Sequence, residues 1–226
     1  MNTVIIAAGG SGARMGADAP KQFIEVLNKP LIIYTLEIFE RNTDTDEIII
    51  SCVSGYIEKL WAWADAYGLK KIKRIVPAGN NRQKSVYNGL AAASDKNKSG
   101  IITVHDAVRP LVAEKTIRET VLSVQKNGAA GAALPVEDTI VSSKDGAFIR
   151  DVQDRSVLYR MQTPQSFAYD ILWEAHTKQG RTPDATDDCR LVLDTGRRVA
   201  IVPGDKYNIK ITTRDDLELF KRMIGG

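Results

Sequence analysis

Directly after the apolar run Val4-Ile5-Ile6-Ala7-Ala8 the chain reads Gly9-Gly10-Ser11-Gly12-Ala13-Arg14-Met15-Gly16, and a few residues later Pro20-Lys21-Gln22-Phe23. Glycines at 9, 10, 12 and 16 allow positive φ and a close approach of backbone to ligand. Successive N–H groups in such a turn form an anion-binding concavity. Arg14 within the loop and Lys21 just beyond it add two cations, suited to a triphosphate and to the charge that develops as pyrophosphate leaves. Such chemistry needs positioned charge and no covalent protein intermediate. The blander readings are a ligand-free glycine turn and two solvated cations. The Gly-Lys-Ser/Thr closure of a P-loop is absent, and the dinucleotide fingerprint is incomplete, because Gly10-x-Gly12 leads to Met15 where the third glycine belongs.

The surrounding pattern supplies the elements that would hold this loop. Thr3–Ala8, Glu47–Val53, Ile72–Val76, Gly100–His105 and Ala129–Val136 read as strands, several as unbroken apolar runs typical of strands buried on both faces. Between them, 31–41, 55–67, 83–93 and 114–125 read as helices, the second carrying Ile57, Leu60, Trp61 and Ala64 at helical spacing. This β-α alternation predicts an α/β fold, a mostly parallel sheet with helices on both faces. The rhythm breaks at 137–158, where Thr139-Ile140-Val141 and Ala147-Phe148-Ile149 flank Asp145-Gly146, a β-hairpin signal for a protruding arm. Tyr169–Lys178 and Asp187–Thr195 then read as helices and Arg198–Val202 as a strand. Thr213-Arg214-Asp215-Asp216 caps a last helix, with an acid where a capping box usually has Glu or Gln.

The 226 residues thus read as one domain, 1–226, with an arm at about 137–158. A net charge of +3, from 31 basic and 28 acidic residues, is too weak for a nucleic-acid footprint. There is no membrane-length apolar run and no basic, apolar export signal at 1–6, so a cytoplasmic location with Cys52 and Cys189 reduced is expected.

Beyond the glycine loop and Pro20-Lys21-Gln22-Phe23, the chain carries Arg82-Gln83-Lys84-Ser85-Val86 and Val104-His105-Asp106-Ala107-Val108-Arg109-Pro110. Asp138-Thr139-Ile140, Gln162-Thr163-Pro164-Gln165-Ser166-Phe167 and Asn208-Ile209-Lys210-Ile211-Thr212-Thr213 follow. In this order and across nearly the whole chain, they resemble the cytidylyltransferases that act on polyol phosphates. The resemblance implies a Rossmann-like nucleotidyltransferase fold, CTP and a polyol phosphate as substrates, Mg²⁺ or another divalent cation as cofactor, and a homodimer joined through the arm. It implies nucleotide contacts at Ala7, Ala8, Gly9, Gly10, Gly12, Gly79, Arg82, Ser85 and Ala107. Asp106 becomes the metal ligand, and Lys210 contacts phosphate near the reacting centre. Asp106, Arg109, Thr139, Arg155, Thr163 and Lys210 become acceptor contacts, with Thr139 and Arg155 reaching across the dimer. Catalytic roles fall to Arg14, Lys21, Arg155 and Lys210.

Independently of the resemblance, Asp106 follows a buried strand at the carboxyl edge where open α/β sheets place ligands, and a carboxylate beside a triphosphate would hold Mg²⁺. A helix-capping or arginine-paired aspartate is the alternative. His105 reads as a structural neighbour, since a phosphate nucleophile is already ionised. Arg109 either binds the acceptor phosphate or supports the Asp106 loop. Lys210 either faces solvent or reaches inward to an anion, and spacing leaves both open. Asn80 and Asn81 depart from the acidic residue frequent in this loop of the family. Trp61 and Trp63 cannot share a helix face, so one is expected packed and one near the surface. Cys52 reads as core, His176 as without a partner at ligand spacing, and Thr186-Asp187-Asp188 as a helix start.

For the acceptor, Arg82-Gln83 with Ser85 and Asp154-Arg155-Ser156 favour 2-C-methyl-D-erythritol 4-phosphate. His105–Pro110, Asp138–Val141 and Asp187-Asp188-Cys189-Arg190 fit ribitol 5-phosphate as well. A dinucleotide-dependent oxidoreductase would use a similar loop, but the chain lacks the acidic residue such an enzyme needs at the end of 47–53. A non-catalytic nucleotide sensor would have no need of Arg14, Lys21, Asp106 and Lys210 together.

Overall fold

The computed structural model describes residues 1–10, 19–93, 98, 100–178 and 185–225. In chain order its elements are β1 (Asn2–Ala8), β2 (Glu25–Val26), β3 (Lys29–Pro30), α1 (Leu31–Arg41), β4 (Glu47–Cys52), α2 (Ile57–Ala66), β5 (Ile72–Pro77), α3 (Arg82–Ala91) and β6 (Ile101–Asp106). They continue with α4 (Glu114–Asn127), β7 (Ala129–Pro135), β8 (Val141–Ser142), β9 (Asp151–Val152), β10 (Tyr159–Ala168), α5 (Tyr169–Thr177), α6 (Asp188–Leu193), β11 (Ala200–Pro203) and α7 (Arg214–Gly225). Seven strands form one sheet in the order β11-β7-β10-β6-β1-β4-β5, parallel except for β10.

The unbroken apolar runs have a direct cause. In β1 and β4, Val4, Ile6, Ile48 and Ile50 pack on one face against Ile32, Leu36 and Phe39 of α1 and Leu60 of α2. Ile5 and Ile49 point to the other face, against Val86 and Leu90 of α3 and Leu172 of α5. These aliphatic side chains of the central strands are all removed from water, at roughly 1.5–3 kcal/mol for each large group. Both expected helical layers are present. Trp63 packs against the first core while Trp61 stays exposed, and Cys52 and Cys189 are buried free thiols. The last helix carries the expected reciprocal cap: Asp216 N–H donates to Thr213 Oγ1 at 3.2 Å, and Thr213 N–H donates to Asp216 Oδ2 at 2.8 Å.

The structure departs from the sequence reading in three places. Strand β10, in the middle of the sheet, has no strand signal, because Tyr159-Arg160-Met161-Gln162-Thr163-Pro164-Gln165-Ser166 is polar and contains proline. The register against β7 shifts between Met161 and Gln165, and that irregularity accommodates Pro164 within a central strand. Next, the arm is not a tight hairpin at Asp145-Gly146. Val141 pairs with Val152 and Ser142 with Asp151, while Ala147–Ile149 lie outside that ladder. The cause is the Asp145 carboxylate, which accepts N–H bonds from Ala147 and Phe148 and folds them into a local turn. Finally, the chain turns at Leu27-Asn28, both at positive φ, to make the small β2–β3 hairpin. No glycine announces that turn.

Candidate active site

Three chain segments meet at the carboxyl edge of the sheet: the loop leaving β1, the β5–α3 connection, and the end of β6. Strand β1 lies between β4 and β6, so the chain leaves it to one side for β4 and β5 and returns on the other for β6. A crevice opens at such a switch point in open α/β sheets. Here it is a cleft of about 410 Å³ lined by Ala7, Gly9, Gly10, Lys21, Gly79, Arg82, Ser85, Asp106, Ala107 and Lys210 among others. Nearly all the described residues expected to meet a nucleotide therefore share one cavity. Ala8 is buried and does not line it. Arg14 and Gly12 lie outside the described residues.

The glycine loop works by proximity. Neither Gly9 nor Gly10 has positive φ, contrary to the expectation from the sequence. A Cβ on Gly9 would instead lie 2.5 Å from the Ala78 side chain and 2.9 Å from Ser85 Oγ, so glycine is required for β1 to run close beside the β5–α3 turn. Gln22, which nothing in the sequence singles out, fixes the same loop: its Nε2 donates to Ala8 O at 2.7 Å and Gly10 O at 3.0 Å. Across the cleft, Asn81 caps α3 by accepting from Lys84 N–H, and Ser85 Oγ accepts from Gly79 N–H at 3.1 Å. The amino terminus of α3 thus faces the cavity, a favourable setting for anions. Asn81, where the family often has an acid, serves as that cap.

Asp106 forms the electrostatic centre. Its carboxylate meets Lys210 Nζ at 2.9 Å, Arg109 Nε at 3.3 Å and Arg82 Nε at 3.4 Å. Burial would raise its pKa, but Arg82, Lys210 and Arg109 outweigh that and hold it far below the usual carboxylate range. Lys210 therefore reaches inward, resolving the choice its spacing left open. Arg109 braces Asp106, and its Nη1 donates to Asn208 O at 2.7 Å, tying the 208–211 segment to β6. Lys21 Nζ donates to Ile211 O at 3.0 Å, so the turn at Lys21–Phe23 is tied to the same segment.

His105 has no free edge toward the cavity. Burial lowers its pKa to about 4, so the ring is neutral near pH 7. The Thr163 hydroxyl accepts from Asp106 N–H at 3.1 Å, donates to His105 Nδ1 at 3.0 Å, and leaves His105 Nε2–H for Arg109 O at 3.2 Å. Thr163, expected as an acceptor contact, has its hydroxyl engaged in holding this corner together. It still lines, with Arg82, Asp106, Arg109, Met161, Gln165, Asp187 and Lys210, a second cavity of about 250 Å³ that opens beside Asp106.

Sequence spacing also understates Asp188 and His176. Asp187 caps α6 by accepting from Arg190 N–H at 2.8 Å, as a helix start should. Asp188, fully buried, turns the other way and binds Arg82 Nη1 at 2.6 Å and His176 Nε2 at 2.9 Å. The contact joins α3 to α5 and α6, which lie about a hundred residues further along the chain. Four cations (Lys21, Arg82, Arg109 and Lys210) surround two carboxylates, leaving the region electropositive. Among the described residues no cluster of three or more His, Cys, Asp or Glu could form an all-protein metal site.

Thr139 and Arg155 line neither cavity. Both sit exposed on the arm, with Arg155 Nη1 donating to Glu137 O at 2.6 Å. The arm carries Ile140, Val141, Phe148, Ile149, Val152 and Val157 exposed to solvent. No helix among the described residues is long and apolar enough to cross a membrane.

Comparison with known proteins places this arrangement. A sequence model of the 2-C-methyl-D-erythritol 4-phosphate cytidylyltransferase family matches residues 2–225. A ribitol-5-phosphate cytidylyltransferase from Lacticaseibacillus paracasei is 36% identical over 226 residues, covering 98% of this chain and 97% of its own. A 2-C-methyl-D-erythritol 4-phosphate cytidylyltransferase from Alkaliphilus oremlandii is 39% identical over 217 residues, covering 95% and 91%. Among solved structures, 4-diphosphocytidyl-2C-methyl-D-erythritol synthase from Anaerococcus prevotii superposes with a TM-score of 0.86 at 28% identity, covering 100% of this chain and 96% of that one.

Proposed function

The chain belongs to the 2-C-methyl-D-erythritol 4-phosphate cytidylyltransferase family and is a cytidylyltransferase; we propose that it transfers CMP from CTP to 2-C-methyl-D-erythritol 4-phosphate. An oxygen of the acceptor phosphate attacks the α-phosphorus of CTP, the bond to the β-phosphate oxygen breaks, and pyrophosphate leaves with the electron pair. The observation that carries this reading is the convergence of Lys21, Arg82, Arg109 and Lys210 on one region around Asp106 and Asp188. Fixed cations of this kind lower the barrier by stabilising charge that grows in the transition state.

Each residue has a separable task. Lys21 and Arg14 stabilise the crowded α-phosphate and the departing pyrophosphate. The base and ribose lie against Ala7, Gly79, Arg82, Ser85 and Ala107. Lys210, with Arg155, holds the acceptor phosphate in line, Arg109 braces Asp106, and no general base is needed, in keeping with a neutral His105. Asp106 is the one carboxylate among the described residues lining the 410 Å³ cavity, which suits Mg²⁺, an ion that combines one or two carboxylates with phosphate oxygens and water. When bound, the ion would neutralise phosphate charge as the leaving group departs. Thr139 and Arg155 of one copy complete the acceptor site of another, in a cytoplasmic homodimer built through the arm of a single catalytic domain.

Ribitol 5-phosphate is the second reading, favoured by the Lacticaseibacillus paracasei relative. Pyrophosphate release with CTP and Mg²⁺, run in parallel with each acceptor and with ATP, GTP and UTP as controls, decides between them. The expected result is CTP-dependent release with methylerythritol phosphate at least about tenfold above that with ribitol phosphate. The reverse preference transfers the mechanism to ribitol. No release with either acceptor, from folded protein, overturns the proposal.

A further inference from the structure

The Arg82 guanidinium is held at two points. Nε faces Asp106 Oδ1 at 3.4 Å, while Nη1 makes the much shorter bond, 2.6 Å, to Asp188 Oδ2. Nη2 is buried without a hydrogen-bond partner among the described residues. Arg82 lines both cavities beside Asp106, so its guanidinium stands at the wall shared by the two. Its stronger anchor, Asp188, lines neither.

Asp188 is itself fixed from three sides. Gln165 Oε1 accepts its N–H at 3.1 Å and that of Cys189 at 3.3 Å, Arg82 takes Oδ2, and His176 takes Oδ1 at 2.9 Å. Burial would raise the Asp188 carboxyl, but Arg82 and the His176 contact bring it down to about 2, so it is a carboxylate and the His176 contact is a donated Nε2–H. His176 Nδ1 has no hydrogen-bond partner among the described residues, so Asp188 is the ring's one hydrogen-bond partner there. His176 lines instead a surface cleft of about 810 Å³ with Lys84, Tyr87, Asn88 and Thr177, which adjoins the first cavity through Gly79, Asn80 and Asn81.

We propose that His176 and Asp188 are positioning residues which act through Arg82: the His176–Asp188 hydrogen bond fixes the carboxylate that holds the guanidinium against the CTP cavity. An arginine side chain loses rotamer freedom when it is ordered. The Asp188 anchor settles that cost at folding, before nucleotide binds. The inference rests on the cytidylyltransferase reading and assigns to it a control point outside both substrate cavities.

The test compares His176→Leu, which removes the donor, with His176→Gln, whose amide N–H can replace Nε2–H. Asp188→Asn removes the anchoring charge. Steady-state kinetics in CTP, Mg²⁺–CTP binding by calorimetry and melting temperature are measured on each full-length protein. The expected result is a rise of about tenfold in both the KM and Kd for CTP in His176→Leu, with kcat within about twofold. His176→Gln should return to within about threefold of the unmodified protein, and the double variant, His176→Leu with Asp188→Asn, should be no worse than Asp188→Asn alone. A merely structural bond would lower the melting temperature of His176→Leu and leave KM and Kd unchanged, and that result overturns the inference. Failure of the unmodified protein to bind or turn over CTP would sink the underlying reading. Turnover by the unmodified protein with CTP affinity unaffected in His176→Leu sinks this inference alone.

Discussion

The cavity at the carboxyl edge and the arm at 137–158 are built on opposite plans. Around Asp106, polar side chains are buried and bonded: Thr163, His105, Arg109, Gln22 and Asn208 all have partners at 2.7–3.3 Å, reached across sequence separations of up to 99 residues. The arm is the reverse. Its two short strands share a single two-residue pairing, its long-range polar contact is Lys206 to Glu137 at its base, and Phe148 stands 78% exposed. The cavity is pre-organised within one chain, as stabilisation of a developing charge requires. A two-stranded ribbon with an apolar surface is marginal alone in water and gains most from a second surface to cover it. Damage to the cavity should therefore be independent of enzyme concentration, and damage to the arm should depend on it.

The largest effect is expected at Lys21. Lys21→Ala leaves the fold intact, because the side chain is half-buried and its bond to Ile211 O ties down one loop rather than the core. It removes the positive charge proposed to stabilise the departing pyrophosphate. kcat should fall about 10³-fold, near 4 kcal/mol of transition-state stabilisation, while the KM for CTP rises by less than about tenfold. The loss should be the same at nanomolar and micromolar enzyme. A rise in KM with unchanged kcat would reduce Lys21 to a ground-state contact.

The interior of the cavity can also be tested through its pH dependence. His105 titrates at about 4 in the fold against about 6.5 in an unfolded chain. As pH falls below 6.5 the unfolded chain takes up a proton that the folded protein refuses, so stability drops until about pH 4 and then levels off. The shift corresponds to about 3 kcal/mol. Asp188, whose pKa is depressed to about 2, adds stability that is lost only as pH falls through the ordinary carboxylate range toward that value, in a lower window. Urea denaturation from about pH 7 to about pH 4 should show this decline in the unmodified protein, and His105→Gln should remove most of the slope. An equal slope in both proteins would mean that His105 stays solvated, and the contrast between a sealed cavity and an open arm would weaken.

The same contrast governs what can be read from the sequence. Strands β1 and β4 are legible because both faces are buried, which leaves an unbroken apolar run. The loop after β1 and Asp106 are legible because the chemistry constrains residue type at short spacing. β10 is not: it lies mid-sheet, yet Gln162, Thr163, Gln165 and Ser166 use their polar groups on the site and on Thr103 and Thr120. A strand that satisfies buried polar groups loses the apolar signature that periodicity detects. Asp188 and His176 are hidden for a related reason. Their bond joins α5 to α6, and Arg82 lies 106 residues away from Asp188. Gln22, next to Lys21, is in plain sight but shows no charge to draw notice.

The smallest effect, and the sharpest test of the arm, is expected at Phe148. Phe148→Ser removes a large apolar surface from the tip while leaving intact the bond from its backbone N–H to Asp145. The monomer should lose almost no stability. If the apolar arm is covered by a second copy, self-association should weaken about tenfold, or about 1.4 kcal/mol, a fraction of what a buried aromatic ring contributes. Activity with the acceptor should then fall at nanomolar enzyme and recover at micromolar, as the proposed contacts of Thr139 and Arg155 with a second copy require. Sedimentation and dilution assays on the same samples separate the outcomes. Unchanged association with full activity at every dilution would leave the tip of the arm uncovered and return the acceptor contacts to a single chain.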